Sequence, residues 1–401
     1  MADGTAKLQN PNDKHEELVA IARGLTEPFR ARAQEAEKNR RISRENHEAM
    51  LDTGLYRVQM PERYGGFEMS HRTMLDISVE IGRGCGSSSW TFSNIAAQNG
   101  IVSMASRQAQ DDVWAEDRSV CTASSFPAKG GKVEKVDGGI VANGIWSFAS
   151  GVDWADWNNM QVFVPPEGGE GPPEHRFALV PKDDYDVVDD WYSPGLAGTG
   201  SRTIKLDNVF IPEHMTIPST KLMGGPSPGS VINSGALYRV PPLTLGTKVF
   251  ASPALGIAKG GLKIIEDDLS GRNTVGNAPM AELPTAQARI SEAGAEIEAA
   301  EALLLKDCAD AMEIAEAGGV PEINDRARWR RNNAFAVQLC VKALERLNPL
   351  VGARGLTPEN DFLRMFRDVH AASLQITVAW DIQAVNAGRI RFGLPSLDPR
   401  V

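Results

Sequence analysis

The stretch WYSPGLAGTGSRTIKLDNVFIPEH, residues 191–214, places a cluster of glycines directly before an apolar segment. The glycines lie in GLAGTGS, residues 195–201, and the apolar segment covers residues 203–211, which predicts a β-strand. Loops that cradle phosphate groups lead into the N-terminus of a helix instead. Ordinary turn formation therefore accounts for these glycines, and the stretch indicates a β domain.

Short apolar runs separated by Gly, Pro and Asp extend this β pattern from about Arg118 to Thr216. Asp137-Gly138-Gly139 has the composition of a hairpin turn between two of them. The other predicted strands cover residues 133–136, 139–146, 160–164 and 177–180. We expect a central β domain over residues 118–225.

Helical patterns lie on both sides of the β domain. Residues 16–114 carry apolar side chains three and four positions apart, and Ser87-Ser88-Ser89 offers N-cap hydroxyls for a helix that begins near Trp90. After Leu237 the pattern predicts four long helices, over residues 250–269, 283–317, 325–347 and 360–388. The predicted fold is α+β and mostly α: a helical domain over residues 1–117, the β domain, and a four-helix bundle over residues 226–401.

Composition and charge exclude several classes of partner. The chain has 401 residues, 42% of them hydrophobic and 23% charged, which is enough for a large buried core. Its 42 Lys and Arg against 52 Asp and Glu leave a net charge of −10, which disfavours nucleic acid and anionic membranes as partners.

Cysteine, histidine and hydropathy patterns narrow the cellular setting. The four cysteines show no CxxC spacing and the six histidines show no metal-ligand spacing, so neither a disulfide framework nor a metal site is predicted. No apolar stretch approaches the roughly 18 residues of a membrane span, and the N-terminus has no apolar signal region. We therefore expect a cytoplasmic protein.

Two segments of the β domain combine hydroxyl groups with aromatic rings: TASSFP at residues 122–127 and WSFASG at residues 146–151. Small hydroxyls beside flat side chains suit a planar heterocycle, which needs stacking faces and a few hydrogen bonds at its polar edge. Trp and Ser are also ordinary strand residues. Composition alone therefore leaves a structural role open for both segments.

Motifs along nearly the whole chain make it similar to a known family. Besides the stretch 191–214, they are PERYGGFEM (61–69), GRGCGSSSW (82–90), WSFASGVDWADW (146–157) and LVGARGLTPENDFLRMFRDVHAAS (350–373). In this order they resemble the oxygenase components of two-component flavin-dependent monooxygenases built on the acyl-CoA dehydrogenase fold. The resemblance implies a helical N-terminal domain, a central β-barrel-like domain and a C-terminal four-helix bundle, assembled as a homotetramer through that bundle.

The same resemblance implies a reaction. A separate NAD(P)H:flavin reductase would supply reduced FAD or FMN, which would react with O2 to form a C4a-hydroperoxide. That species would transfer one oxygen atom to an aromatic or heteroaromatic small molecule. The alternatives are an N- or S-oxygenating relative, a non-enzymatic scaffold of the same fold and, less favoured, an acyl-CoA dehydrogenase, because GRIRFGLP (388–395) stands where those enzymes carry a Gly-rich tail.

The resemblance also assigns roles to residues. Ser150 matches the serine whose hydroxyl faces flavin N5, where a hydrogen bond would slow the loss of hydrogen peroxide. Large aromatic side chains would wall the flavin ring and exclude water. These are Trp90, Trp146 and Phe148. The other candidates are Thr122, Ser124 and Ser125, one of which would contact the pyrimidine edge or the substrate. Arg364 would bind a phosphate or an anionic substrate unless it pairs with Asp361 or Asp368.

Two positions depart from the phenol-hydroxylating members of the family, which carry histidines where this chain has Gln98 and Gln375. A glutamine cannot take a proton near neutral pH, so the usual base for activating a phenol would be missing. This favours a substrate that is nucleophilic without deprotonation, such as indole-3-acetate or another indole, over a phenol. In the alternative, His370 supplies the base through a local shift.

Overall fold

The computed structural model describes residues 11–127, 131–168, 170–398 and 400–401, and its N-terminal part is helical. The helices are α1 (Pro11–Ala31), α2 (Ala33–Asn39), α3 (Arg44–Asp52), α4 (His71–Gly82), α5 (Gly86–Val102) and α6 (Arg107–Trp114). The predicted N-cap at Ser87-Ser88-Ser89 is wrong. Helix α5 begins at Gly86, and its N-cap is Cys85, whose Sγ accepts a hydrogen bond from Ser88 N.

The central part is a β-sheet. Its strands are β1 (Thr122–Pro127), β2 (Lys132–Val136), β3 (Gly139–Ala149), β4 (Trp157–Val164), β5 (Glu174–Pro181), β6 (Asp186–Val188), β7 (Arg202–Pro212) and β8 (Thr216–Pro218). They pair in the order β6-β7-β3-β1-β4-β5-β8, with β2 on β3. Strand β1 joins the two halves, because residues 122–125 pair parallel with β4 and residues 126–127 pair antiparallel with β3.

The C-terminal part is a helical bundle of α7 (Lys248–Ser270), α8 (Pro284–Glu316), α9 (Ile323–Val351), α10 (Asp361–Ser373) and α11 (Trp380–Arg391). The prediction of a single helix over residues 360–388 is wrong, because the chain breaks between α10 and α11. At the break, Thr377 N and Oγ1 both donate to Gln375 Oε1, and Gln383 Nε2 donates to Ile376 O at 2.9 Å. Such local side-chain bonds compete with helical hydrogen bonds.

The predicted α+β architecture, mostly α, with a helical domain on each side of a central sheet, is confirmed. The proposed limits at residues 117/118 and 225/226 stay predictions; short 3-10 turns connect the end of β8 at Pro218 to the start of α7 at Lys248. Helix α5 contacts both β1 and α7. The junction of the three parts therefore lies along α5.

Candidate active site

A cleft lies between helix α5, strand β1 and the N-terminal part of α7. Trp90, Asn94 and Gln98 follow at intervals of four residues, which puts them on one face of α5, and the latter two line the cleft. Ser124 of β1 lines it from the sheet. Phe250 of α7 also lines it, and its ring lies 5.0 Å from the ring of Trp90.

Beside Trp90 lies a hydroxyl cluster made of Ser150, Thr199 and Ser201, all buried. Trp90 Nε1 donates to Ser150 Oγ at 3.1 Å. Ser150 Oγ lies 2.7 Å from Ser201 Oγ, and Ser201 Oγ lies 2.7 Å from Thr199 Oγ1. Thr199 Oγ1 donates to the carbonyl of Leu196 at 2.8 Å. The cluster is thus one chain of hydrogen bonds from an indole N–H to a backbone carbonyl.

An irregularity at the end of β3 positions Ser150. The register of β3 against β7 shifts directly before Ala149, and Phe148 has a left-handed backbone with φ of 62°. Gly151 follows with φ of 77°, and a Cβ at that position would lie 3.0 Å from Thr91 Cγ2. Bulges of this kind redirect side chains and occur next to functional sites.

The loop that carries Thr199 and Ser201 is anchored to α10. A Cβ on Gly195 would lie only 2.3 Å from the Arg367 carbonyl oxygen, so the close approach requires glycine. Leu196 N donates to Asp368 Oδ1 at 2.6 Å. Burial raises the pKa of Asp368 to about 6, and the hydrogen bond from Leu196 opposes that rise. Gly195 thus serves packing of this loop against α10.

At the other end of the cleft lies an amide group made of Gln59, His71, Gln98 and Asn159. Asn159 Nδ2 donates to Gln98 Oε1 at 2.8 Å, and Gln59 Nε2 lies 3.0 Å from His71 Nδ1. Burial, and then the charge of Lys248, hold the pKa of His71 well below its usual value, so the ring is neutral. Sequence reasoning missed three members of this group. No motif marks the three missed residues, because the four members of the group come from separate parts of the chain.

Thr122, Ser125 and Trp146 lie inside the sheet and do not line the cleft, whereas Ser124 does. Ser125 Oγ donates to a side-chain amide oxygen on β4 at 2.7 Å, and Trp146 Nε1 donates to Gln161 O at 2.9 Å. Thr122 Oγ1 is buried with no hydrogen-bond partner among the described residues. Among the hydroxyls of TASSFP, Ser124 is therefore the one placed to meet a ligand in the cleft.

Arg364 and Phe148 have contrasting surroundings. Arg364 is buried and its Nη1 pairs with Asp361 Oδ1 at 2.6 Å, as the alternative to ligand binding anticipated. Phe148 is 60% exposed, with its ring edge-on to that of Trp191 at 6.3 Å. Of the two side chains, only that of Phe148 is exposed enough to contact a ligand.

His370 and Gln375 do not reach the cleft. His370 Nδ1 bonds to the Phe366 carbonyl at 2.7 Å, and its Nε2 lies 3.3 Å from Glu345 Oε1 on α9. The carbonyl oxygen of Gln375 is taken by Thr377. Thr377 itself lines the cleft. The structure thus places Gln98 and Ser124 in the lining of the cleft and Trp90 and Ser150 beside it. It leaves His370 and Gln375 outside.

Comparison with known proteins gives the family. Residues 12–115 match the N-terminal domain and residues 248–380 the C-terminal domain of acyl-CoA dehydrogenase. The chain is 33% identical, over 95% of both chains, to the FADH(2)-dependent resorcinol hydroxylase oxygenase component of a Rhizobium species. It is 32% identical, over 90% of its length and 86% of the relative's, to the p-hydroxyphenylacetate 3-hydroxylase oxygenase component of Acinetobacter baumannii. This chain belongs to the oxygenase components of two-component flavin-dependent monooxygenases.

Solved structures agree with this assignment. The 3-HSA hydroxylase of Rhodococcus sp. RHA1 superposes on the oxygenase with a TM-score of 0.92 at 31% identity, covering 96% of this chain and all of the other. As a member of this family, the oxygenase uses reduced flavin and O2. None of the described helices of the oxygenase is long and apolar enough to cross a membrane.

The groups beside Trp90 in the oxygenase fit a flavin ring in their chemistry. The hydroxyl cluster offers hydrogen bonds, and Phe148 and Trp191 offer flat faces. Thr91 packs against Gly151, where a Cβ would lie 3.0 Å from Thr91 Cγ2, and its buried hydroxyl has no partner among the described residues. That these groups contact the flavin stays a prediction.

Proposed function

We propose that this oxygenase inserts one oxygen atom from O2 into a small aromatic or heteroaromatic molecule held in the cleft next to reduced flavin. Most of the surface that the cleft exposes is apolar, as suits a flat aromatic guest, and polar side chains interrupt it. Its aromatic lining residues are Phe126, Phe177, Tyr238 and Phe250. Bound flavin would supply the activation of O2, and the C4a-hydroperoxide stays a prediction.

The order of protons in the hydroxyl cluster carries the proposal for Ser150. Thr199 donates its proton to a carbonyl, so it must accept from Ser201, and Ser201 must in turn accept from Ser150. Ser150 Oγ accepts from the Trp90 indole and keeps one lone pair free. Reduced flavin carries a proton on N5. A free acceptor at Ser150 would hold that proton and so retard the loss of hydrogen peroxide.

A stopped-flow experiment tests this role. Protein with reduced flavin is mixed with O2, and the lifetime of the oxygenated flavin is read from its absorbance. Ser150→Ala removes an acceptor worth about 1 kcal/mol, so the lifetime should fall about fivefold or more, with peroxide released in place of product.

Ser147→Ala is the matched control, because Ser147 lies on β3 three residues before Ser150 and its Oγ pairs with Thr203 Oγ1 at 3.3 Å. The lifetime of the oxygenated flavin in Ser147→Ala should equal that in the wild type. An unchanged lifetime in Ser150→Ala would contradict the role of Ser150. Failure of the wild type to bind reduced flavin would contradict the function itself.

An indole such as indole-3-acetate is one candidate substrate, and a phenol is the other. The argument for an indole rests on Gln98 and Gln375, and only Gln98 lines the cleft. Both relatives named above act on phenols. N- or S-oxygenation is a further alternative. The candidates differ in whether the substrate carries an ionisable hydroxyl, which a binding experiment can detect.

A separate NAD(P)H:flavin reductase is the proposed source of the reduced flavin. We also retain the homotetramer as a proposal. Several large apolar side chains on and around α11 are exposed in the single chain and would be covered by assembly. They are Ile376, Ile382, Val385, Phe392 and Leu394.

A further inference from the structure

A further polar part of the cleft lies on strands β4 and β5. Gln161 follows Asn159 by two residues on β4, so both side chains lie on the same face of the strand, about 7 Å apart. Asn159 bonds to Gln98, whereas Gln161 itself lines the cleft. Phe177 of β5 pairs with Gln161 across the two strands and lines the cleft as well. An aromatic ring and an amide therefore lie side by side in the lining.

The amide of Gln161 is directed by His175. Gln161 Oε1 lies 3.0 Å from His175 Nε2. Burial, and then the charge of Arg400, lower the pKa of His175 to about 4, so the ring is neutral at pH 7. An amide oxygen only accepts, so the ring proton sits on His175 Nε2 and is donated to Gln161. The amide nitrogen of Gln161 bonds to none of the described residues, which leaves its two protons for a ligand in the cleft.

Arg400 offers a second donor. It lines the cleft, and its charge contributes to the low pKa of His175. Arg400 Nε and Nη2 donate to the carboxylate of Asp398 at 2.8 Å and 3.0 Å, while Nη1 bonds to none of the described residues. A guanidinium holds its donors in a rigid planar fork. The two bonds to Asp398 therefore fix the orientation of Arg400 and leave Nη1 for a ligand.

The charges in this part of the cleft favour an anion. Arg330 also lines the cleft, and its three side-chain nitrogens already have acceptors, on Gln383, Leu243 and Asp398. Burial raises the pKa of Asp398, but the hydrogen bond from Arg400 and the charges of both arginines lower it more, so Asp398 stays ionised. No Asp or Glu lines the cleft among the described residues. Two positive charges thus face one negative charge, which leaves one positive charge in excess.

We propose that the cleft selects an aromatic carboxylic acid, whose carboxylate is held by Arg400 Nη1 and Gln161 Nε2 while its ring packs against Phe177. This inference rests on the proposed function and names its substrate class, and it applies equally to a phenol and to an indole. Two N–H donors on separate side chains suit the two oxygens of a carboxylate. His175 is a positioning residue, because it acts on the acid only through Gln161.

Pairs of ligands that differ in charge but not in shape test this inference. Phenylacetate is compared with phenylacetamide, and benzoate with benzamide. Calorimetric titration of the full-length protein at pH 7, without O2 and both with and without reduced flavin, gives the dissociation constants. At least one of the two acids should bind about tenfold more tightly than its amide, because its hydrogen bonds are charge-assisted. Equal affinities within both pairs would overturn the proposal.

Variants assign the preference for the acid to the two donors. Arg400→Gln removes the charge and should lose most of the preference, whereas Arg400→Lys keeps the charge and should retain part of it. Gln161→Met removes one donor at similar side-chain length and should lower the preference about threefold. Arg391→Gln is the control, because it removes a positive charge from an exposed side chain that does not line the cleft. A full preference in both Arg400→Gln and Gln161→Met would overturn the assignment.

Two substitutions of His175 test its positioning role. In His175→Phe, Gln161 loses the donor that holds its oxygen away from the ligand, so the preference for the acid should fall about as far as in Gln161→Met. His175→Gln keeps an N–H donor and should restore the preference. The affinity for the uncharged amides should not change in either variant, which separates lost direction from lost packing. A His175→Phe variant that keeps the full preference would contradict the positioning role.

Two further measurements keep the outcome clear. Thermal melting identifies any variant that fails to fold, and Gln161→Met carries the test if Arg400→Gln unfolds. Titration with reduced flavin separates this inference from the proposed function. A wild type that binds reduced flavin without preferring acids contradicts only this inference, while one that prefers acids but binds no reduced flavin contradicts the flavin-dependent function. Loss of reduced-flavin binding in a folded Arg400→Gln variant would assign Arg400 to the flavin and overturn the proposal.

Discussion

Beside Trp90, at one end of the cleft, three hydroxyl groups form hydrogen bonds with one another. At the other end, Gln98 and His71 line the cleft, and each forms a hydrogen bond with the side-chain amide of another residue. Hydroxyl protons rotate, so the hydroxyl cluster takes its direction only from the carbonyl of Leu196 at its far end. An amide group has its donor and acceptor at fixed atoms, and a neutral imidazole takes the tautomer that its neighbour selects. The amide group is therefore directed by its immediate neighbours, Asn159 and Gln59.

The charges of the two ends differ as well. The hydroxyl cluster is neutral, and its nearest buried carboxyl, Asp368, acts through the backbone of Leu196. The amide group has the buried ammonium of Lys248 close enough to lower the pKa of His71. We infer that the first end handles the flavin and the second handles the substrate. Substitutions at one end should leave the function of the other intact.

Replacing Lys248 should have the largest effect on stability. Its pKa is about 8 in the folded chain and 10.5 when exposed, so burying the charge costs about 3 kcal/mol below pH 8. Lys248→Met should raise the free energy of unfolding by about that amount at pH 7. Urea unfolding at pH 7 measures the stability.

The stability difference between the wild type and Lys248→Met should depend on pH. Between pH 8 and 10.5 the unfolded wild type binds more protons at Lys248 than the folded wild type does. The free energy of unfolding of the wild type therefore rises with pH relative to that of the variant. The advantage of Lys248→Met should therefore shrink from pH 7 to pH 9.5. A variant that is less stable at pH 7, or an advantage that grows with pH, would show that Lys248 has a partner in the folded chain.

At the hydroxyl end, Gly195→Ala should destabilise the chain by roughly 2 kcal/mol, because its Cβ would collide with the Arg367 carbonyl and push the loop off α10. Reduced flavin should bind more weakly to this variant. Gly24→Ala is the control: nothing lies within 4 Å of a Cβ there, and this helical position should gain roughly 0.5–1 kcal/mol. Equal melting temperatures for the two variants would refute the packing argument.

The smallest expected effect is that of Ser201→Ala. Ser150 would lose the acceptor that orients its proton, and that proton could rotate toward the flavin site. The lifetime of the oxygenated flavin should fall two- to threefold, less than in Ser150→Ala. Stopped-flow absorbance of both variants gives the ratio. A larger loss in Ser201→Ala than in Ser150→Ala would mean that Ser201, not Ser150, contacts the flavin.

Local patterns predicted most of the elements. The strand over residues 203–211 and the helix over 283–317 agree with β7 and α8 to within a few residues. The errors lie where side chains compete with the backbone. Gln375 and Thr377 break the last helix, and Cys85 takes the N-cap position that the serines of 87–89 were expected to hold.

The site was predictable only in part. The resemblance pointed to Trp90, Gln98 and Ser150; Gln98 lines the cleft, and Trp90 and Ser150 bond to each other beside it. It also pointed to His370, which packs against Glu345 on α9 instead. His71 carried no signal, because a single histidine on a helix is more often structural than functional. Its pairing with Gln59 could be recognised only once the segment that carries Gln59 was packed against the start of α4.

The amino-acid sequence by itself determined the order of helical, β and helical parts, because hydrophobic period and turn residues are local properties of the chain. It also determined the charge balance and the family. Only the tertiary structure decided the direction of each polar group in the cleft. Whether an amide offers a donor or an acceptor depends on which neighbour has already taken its other atom, and in this oxygenase that neighbour comes from a distant part of the chain.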